Sequence, residues 1–162
     1  MDQPQPPLPP QPDTAILDAP LHTIGFELDE LSAHKVSGHL VVTSKCCQPF
    51  RVMHGGVSSL IAEALASIGS HIASGFNRVA GIHLSISHLK SAEEGDFVVG
   101  EATPVSIGKS IQLWEVQISK CDPSKPEIKT LISSSRVTVL CNLPVPESAR
   151  DAAQNLKKYA KL

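Results

Sequence analysis

Aromatic side chains make up only 4% of this 162-residue chain: one Trp, one Tyr and four Phe. Neither sign of charge dominates, with 14 Lys+Arg against 16 Asp+Glu and a formal net charge of −2. Without a basic block there is little electrostatic grip on phosphate backbones, so no nucleic-acid partner is expected. No apolar run of membrane-spanning length stands out, so no membrane span is expected either. The start is rich in proline rather than charged and then apolar, unlike a secretory leader. Cys46, Cys47, Cys121 and Cys141 lack CxxC spacing, and the seven histidines form no HExxH. These absences argue against zinc and dithiol chemistry and favour free thiols in a reducing compartment. No metal or cofactor is expected.

What remains is enough for one domain with a real core. Residues 1–14 form a Pro-rich leader that buries too little apolar surface to offset ordering entropy, and it is expected to be disordered. Residues 15–145 read as the folded domain and 146–162 as a C-terminal helix with a short tail. Leu21–Leu31 and Lys35–Thr43 read as two strands around the turn Ser32-Ala33-His34. Beyond Gly75 the pattern is period two: Ile82, Leu84 and Ile86 alternate with polar neighbours. Strands follow over Phe97–Thr103, Lys109–Lys120 and Ile128–Cys141, with Pro- or Gly-containing joints at 104–108 and 122–126. Successive hairpins imply an antiparallel meander. Glu147 early and Lys157 and Lys158 late match the dipole of a helix over Pro146–Tyr159.

Between the two strand sets lies one apolar helix. His54-Gly55-Gly56 opens it and Gly75 is placed to close it. Val57, Leu60, Ile61, Ala64, Leu65, Ile68 and Ile72 recur at the spacing of one helix face. Ser59, Glu63, Ser67 and Ser70 fall away from that stripe. Glu63 is the only charged residue between Arg51 and Arg78 apart from histidine. A single carboxylate on a helix covered on both sides is a candidate for chemistry.

Gln48-Pro49-Phe50, His54-Gly55-Gly56, Glu63 and Ser67, in this register, resemble the hotdog-fold acyl-CoA thioesterases, and within them the aryl-CoA branch. CCQPF, HGGVSSLIAE, SISHLKSA, SSSRVT and the terminal Ala160-Lys161-Leu162 are similar to the plant peroxisomal 1,4-dihydroxy-2-naphthoyl-CoA thioesterases. The resemblance runs from about Leu21 to Leu143. It implies an α+β hotdog fold, a curved antiparallel sheet of about six strands around one long helix. It also implies hydrolysis of 1,4-dihydroxy-2-naphthoyl-CoA in phylloquinone synthesis. A broader acyl-CoA thioesterase, or a non-catalytic acyl-CoA-binding protein, is the alternative. The terminal AKL is a variant of the SKL address, which implies a peroxisome and its import receptor.

Thioester hydrolysis needs a base or nucleophile and donors for the developing oxyanion. Glu63 suits the first role. The helix start at Gly55 and Gly56 suits the second, because its N–H groups are unpaired and no Cβ blocks the approach. Gln48 is expected to orient water or hold the carbonyl, Ser67 to bond the carboxylate or water, and His54 to shape the oxyanion site. By resemblance, CoA lies near Gly81, His88, Leu89, Lys90, Ser106, Gly108 and Lys109, with Lys90 and Lys109 meeting phosphates. The related pattern often has Arg at those two lysine positions, and Pro in place of Ser91. Gly55 and Glu63 stand eight residues apart, about 12 Å along a helix axis. One carbonyl cannot touch both in one chain, which implies a homodimer with composite sites. Ser59, Ala62, Ala66, Ser67 and Ser70 are then expected to face the partner or its ligand. By resemblance the dimers pair further into a tetramer.

Overall fold

Two aspartates start the structured chain. In the computed structural model, which describes residues 7–162, Asp13 accepts from the Ala15 N–H at 3.1 Å and Asp18 from the Leu21 N–H at 3.0 Å. They cap single-turn helices α1 (Thr14–Leu17) and α2 (Ala19–Thr23). A strand from Leu21 is therefore not formed: Pro20 in the first turn suits a helix start, and Gly25, at φ 83°, ends the segment. Strand β1 begins only at Glu27 and runs to Leu31, followed by β2 (Val36–Val41). Their joint is closed by the Ser32 hydroxyl, which accepts from the N–H groups of His34 and Lys35.

Helix α3 (Gly55–Ala73) crosses from this hairpin to the far edge of the sheet, where β3 (Arg78–His88) lies. Strands β4 (Phe97–Ile107), β5 (Ile111–Cys121) and β6 (Lys129–Leu143) form a meander. The order across the six-stranded sheet is β1-β2-β4-β5-β6-β3, all neighbours being antiparallel. The meander expected of consecutive strands thus holds for β4–β6, while β3 pairs with β6 rather than with β4. The expected joint at 104–108 is largely strand as well. Pro104 sits beside a register shift before Ser106, where a missing N–H is tolerated. A second shift between Gly81 and His83 turns Ile82 outward to 54% exposure, against the alternation expected there.

Of the apolar stripe, Ile61, Ala64, Leu65 and Ile72 are buried, whereas Val57, Leu60 and Ile68 are only half-buried; the buried face is shifted to take in Ser58, Ala62, Ala66, Gly69 and Ser70 as well. Close approach explains the small residues. A Cβ at Gly69 would overlap the ring of Trp114, the bulky side chain on which the helix rests. Trp114 is fully buried and donates its indole N–H to Gln112 at 2.8 Å, which in turn bonds the Ser70 carbonyl. Ala62, Ala66 and Ser70 are therefore core residues and do not face a partner, while Ser59 and Ser67 stay half-exposed. By length and composition α3 is apolar enough to cross a membrane, but half of its apolar window is buried on the sheet.

The two sheet edges are unlike. Along β1, Leu28 donates to the Thr14 hydroxyl at 2.9 Å, and its carbonyl accepts from Gln11 at 3.2 Å. The Leu31 carbonyl accepts from Lys161 N–H at 2.8 Å. Within the expected disordered leader, Gln11 is thus bonded to β1 and Pro12 is buried; residues 1–6 of the leader lie outside the described residues. No strand of the described chain covers the outer edge of β3. The C-terminal helix is also shorter than expected. A 3₁₀ turn (Glu147–Ala149) precedes α4 (Gln154–Tyr159), in which Leu156 alone is buried. So little packing does not support a longer helix. All four cysteines are free, and Cys46 and Cys141 are buried.

Candidate active site

The loop before α3 is folded around Gln48. Its N–H donates to the Val52 carbonyl and its carbonyl accepts from the Arg51 N–H, both at 2.9 Å. Its side-chain oxygen accepts from the Phe50 N–H. With Oε1 occupied, Gln48 is left to present its Nε2 donors. His54 is the N-cap: its Nδ1 accepts from the Gly56 N–H at 2.8 Å. That bond puts the proton of a neutral His54 ring on Nε2. His54 also takes the Val57 N–H on its carbonyl. Among the described residues, Gly55 N–H has no acceptor, so it is the free donor of the first turn. Gly56 is thus committed to the cap, which leaves the Gly55 N–H as the donor open to a ligand.

The His88 ring lies across this helix start, 3.1 Å from where a Gly55 Cβ would be. Gln48, Gly55, Ser58, His88, Leu89 and Lys90 line one cleft of about 350 Å³. Glu63 is half-buried elsewhere, its carboxylate lying directly over Gly81 of β3, where any Cβ would overlap it. Glu63 and Ser67 share a separate hollow of about 300 Å³ with Leu60, Ile68, His71 and Val79. The two cavities have no residue in common. Ser67 and Glu63 share that hollow without a hydrogen bond between them among the described residues. Gly81, expected near the CoA, lies directly beneath the Glu63 carboxylate.

The residues expected to hold CoA form two groups. His88 pairs with Ser133, whereas Gly81 pairs with Val139, which faces Gln112 and through it Ile107. Ser106, Gly108 and Lys109 therefore lie at the Gly81 end of the sheet, and His88, Leu89 and Lys90 at the other. The separation along β3 is about 23 Å at 3.3 Å per residue. Lys90 and Lys109 of one chain cannot grip the same phosphate.

Residues 50–127 match the thioesterase superfamily. The chain is 59% identical over 144 residues to 1,4-dihydroxy-2-naphthoyl-CoA thioesterase 2 of Arabidopsis thaliana, covering 88% of this chain and 92% of that protein. This chain belongs to the thioesterase superfamily. A 1,4-dihydroxy-2-naphthoyl-CoA hydrolase from Listeria monocytogenes is 36% identical, with 72% of this chain and 90% of that one covered. A Haemophilus influenzae thioesterase superposes with a TM-score of 0.68 at 28% identity, over 80% of this chain and 87% of that one. For the thioesterase chain, sequence reasoning missed several lining residues. Ser58 reads as a polar helix position, yet it is buried facing the cleft. Ile132 reaches the same cleft because Ile118 pairs with Ser133 and Ser119 with Leu131, leaving Ile132 as the bulged residue. His71 and Val79, beside Ser67, carried no signal beyond the helical and strand periods.

Proposed function

We propose that this thioesterase hydrolyses 1,4-dihydroxy-2-naphthoyl-CoA to the free acid and CoA, in a site completed by two chains. The observation that carries the reading is the unpartnered Gly55 N–H, about 12 Å along one helix from the Glu63 carboxylate and in a different cavity. Antiparallel pairing of two β3 edges, with Gly81 beside His88 of the partner subunit, sets each Glu63 next to the partner's Gly55. The same operation brings the hairpin bearing Lys109 toward the partner's Lys90, so one CoA meets both lysines.

In that site Glu63 takes a proton from water as it attacks the thioester carbon. Gly55 N–H and Gln48 Nε2 bond the oxygen that becomes negative. Collapse breaks the C–S bond, and Glu63 returns the proton to the leaving thiolate. Attack by the Glu63 carboxylate itself is the alternative first step. Water is the only co-reactant, and no metal or cofactor takes part. The identity to the Arabidopsis thioesterase supports the naphthoyl substrate, and Leu60, Ile68 and Val79 beside Glu63 give an apolar seat for a ring system. Pairing of dimers into tetramers and a place in phylloquinone synthesis belong to the same reading. Leu162 is fully exposed, while the Lys161 N–H is bonded to the Leu31 carbonyl, so recognition of the AKL tail by a peroxisomal import receptor requires that bond to open. Loss of Leu162 is expected to leave the protein in the cytosol.

Mixing inactive chains tests the composite site. Glu63→Gln and Gln48→Ala chains, co-refolded, should regain activity at roughly a quarter of the sites, because a mixed dimer has one doubly damaged site and one intact site. No regain, with both variants dimeric, would show that each site belongs to one chain. Thiol release over a CoA-ester panel tests the substrate: preference for long saturated acyl groups would refute the naphthoyl assignment.

A further inference from the structure

Phe50 is 86% exposed, and among the described residues it is the one phenylalanine or tryptophan side chain left in water. Nothing about it is loose. Its N–H is held by the Gln48 side chain, the turn is closed by Arg51 N–H to Gln48 carbonyl at 2.9 Å, and Val52 bridges to Glu93. Arg51 sits at φ 62°, a conformation that residues other than glycine rarely adopt and one that fixes where the turn points. The chain therefore holds a large apolar ring in solvent, on the same short turn that aims the Gln48 donors.

The two-chain reading says what meets it. If Gly55 lies beside the partner's Glu63, the turn just before Gly55 runs past the residues one to two turns after that glutamate, Ser67 to His71. Those residues border the hollow that holds Glu63. Its apolar walls on one chain are Leu60, Ala64, Ile68 and Val79, with Asp18, Pro20 and His71 at the rim, and it is open to solvent. The geometry points to Phe50 as the missing wall: the ring of one subunit covers the acyl group bound beside the partner's Glu63. A flat aromatic acyl group fits between that ring and Ile68, gaining offset stacking that a straight alkyl chain does not. Phe50 is thus a specificity residue for aryl over alkyl thioesters, and it rests on the two-chain site.

The test uses the full chain and two probes, benzoyl-CoA and hexanoyl-CoA, with subunit state measured by light scattering. Phe50→Leu keeps apolar bulk and loses the aromatic face, while Phe50→Tyr keeps the face. Phe50→Leu should stay dimeric and lose about ten-fold in kcat/KM on benzoyl-CoA, the value of a stacking contact, with hexanoyl-CoA within about two-fold. Phe50→Tyr should restore the aryl rate. Equal loss on both esters, no loss on either, or dissociation of the Phe50→Leu dimer would overturn the assignment, the last by making the ring an interface anchor. The composite site itself is judged separately, on the wild-type chain: an active wild-type monomer removes that premise, whatever the Phe50 variants do.

Discussion

Replacing Gly81 by Ala isolates the position of one carboxylate. The backbone at Gly81 is not in the left-handed region, so alanine adds no conformational strain. Its Cβ, however, would lie within 2.9 Å of the Glu63 Cδ and Oε2 and closer still to Oε1, where ordinary contacts begin at 3.4 Å. The overlapped atoms are the tip of a flexible side chain, so the fold yields cheaply and the carboxylate moves by on the order of 1 Å. A displacement of that size in a reacting group costs about 10²-fold in rate. We expect Gly81→Ala to lower kcat by about that factor, to change KM little and to leave the thermal transition near that of wild type. Steady-state thiol release and a melting curve read these quantities. A cycle with Glu63→Ala sharpens the test: once the carboxylate is gone, Gly81→Ala should add almost nothing. A Gly81→Ala enzyme of near-normal kcat, or a loss that persists in full without Glu63, would refute the reasoning.

Other expectations address neighbouring parts of the molecule. His54→Ala removes the cap on Gly56 N–H and should cost about 1 kcal/mol in urea unfolding, with a further loss of rate from a loosened helix start. Gly69→Ala forces the helix away from Trp114 and should destabilise by about 1–3 kcal/mol by the same measurement. His71 has its pKa lowered, chiefly by burial, against a backbone hydrogen bond with Phe76 and with the Lys157 ammonium adding to the drop. The unfolded chain therefore binds the proton more tightly. Stability from this group is whole above the ordinary histidine value and falls as pH drops through the folded pKa; His71→Gln should flatten that part of the stability–pH profile. Truncation before Asp13 strips Gln11 and Pro12 from β1, and should lower the melting temperature and raise light scattering on heating.

The sequence revealed the ends of α3 closely, because His54-Gly55-Gly56 and Gly75 are local signals that need no tertiary context. It misled on which face is buried. Hydropathy counts size, whereas a helix crossing a sheet at close range is set by the small residues Ala62, Ala66 and Gly69. Leu60 and Ile68 look like core by their side chains and instead line the hollow beside Glu63, while Val57 is half-buried against the core. Glu63 was visible as a lone carboxylate, but its contact with Gly81 comes from a strand that joins the sheet at its far side, information that no local pattern holds. The same applies to the split of His88–Lys90 from Ser106–Lys109. Strand periodicity marked both segments, while the order β6-β3 decided that they lie at opposite ends.

The unequal edges of the sheet limit how far copies of this chain can add to one another. A sheet bare on both sides offers a new docking strand after every addition, so growth has no natural stop. Here the β1 side is sealed by Gln11, Thr14 and Lys161, and among the described residues the β3 side is left unsealed. Two copies joined through β3 leave only sealed sides facing outward. In the dimer proposed above, strand-to-strand growth terminates after a single step, because the surface that would seed a fibre is the one the two copies share.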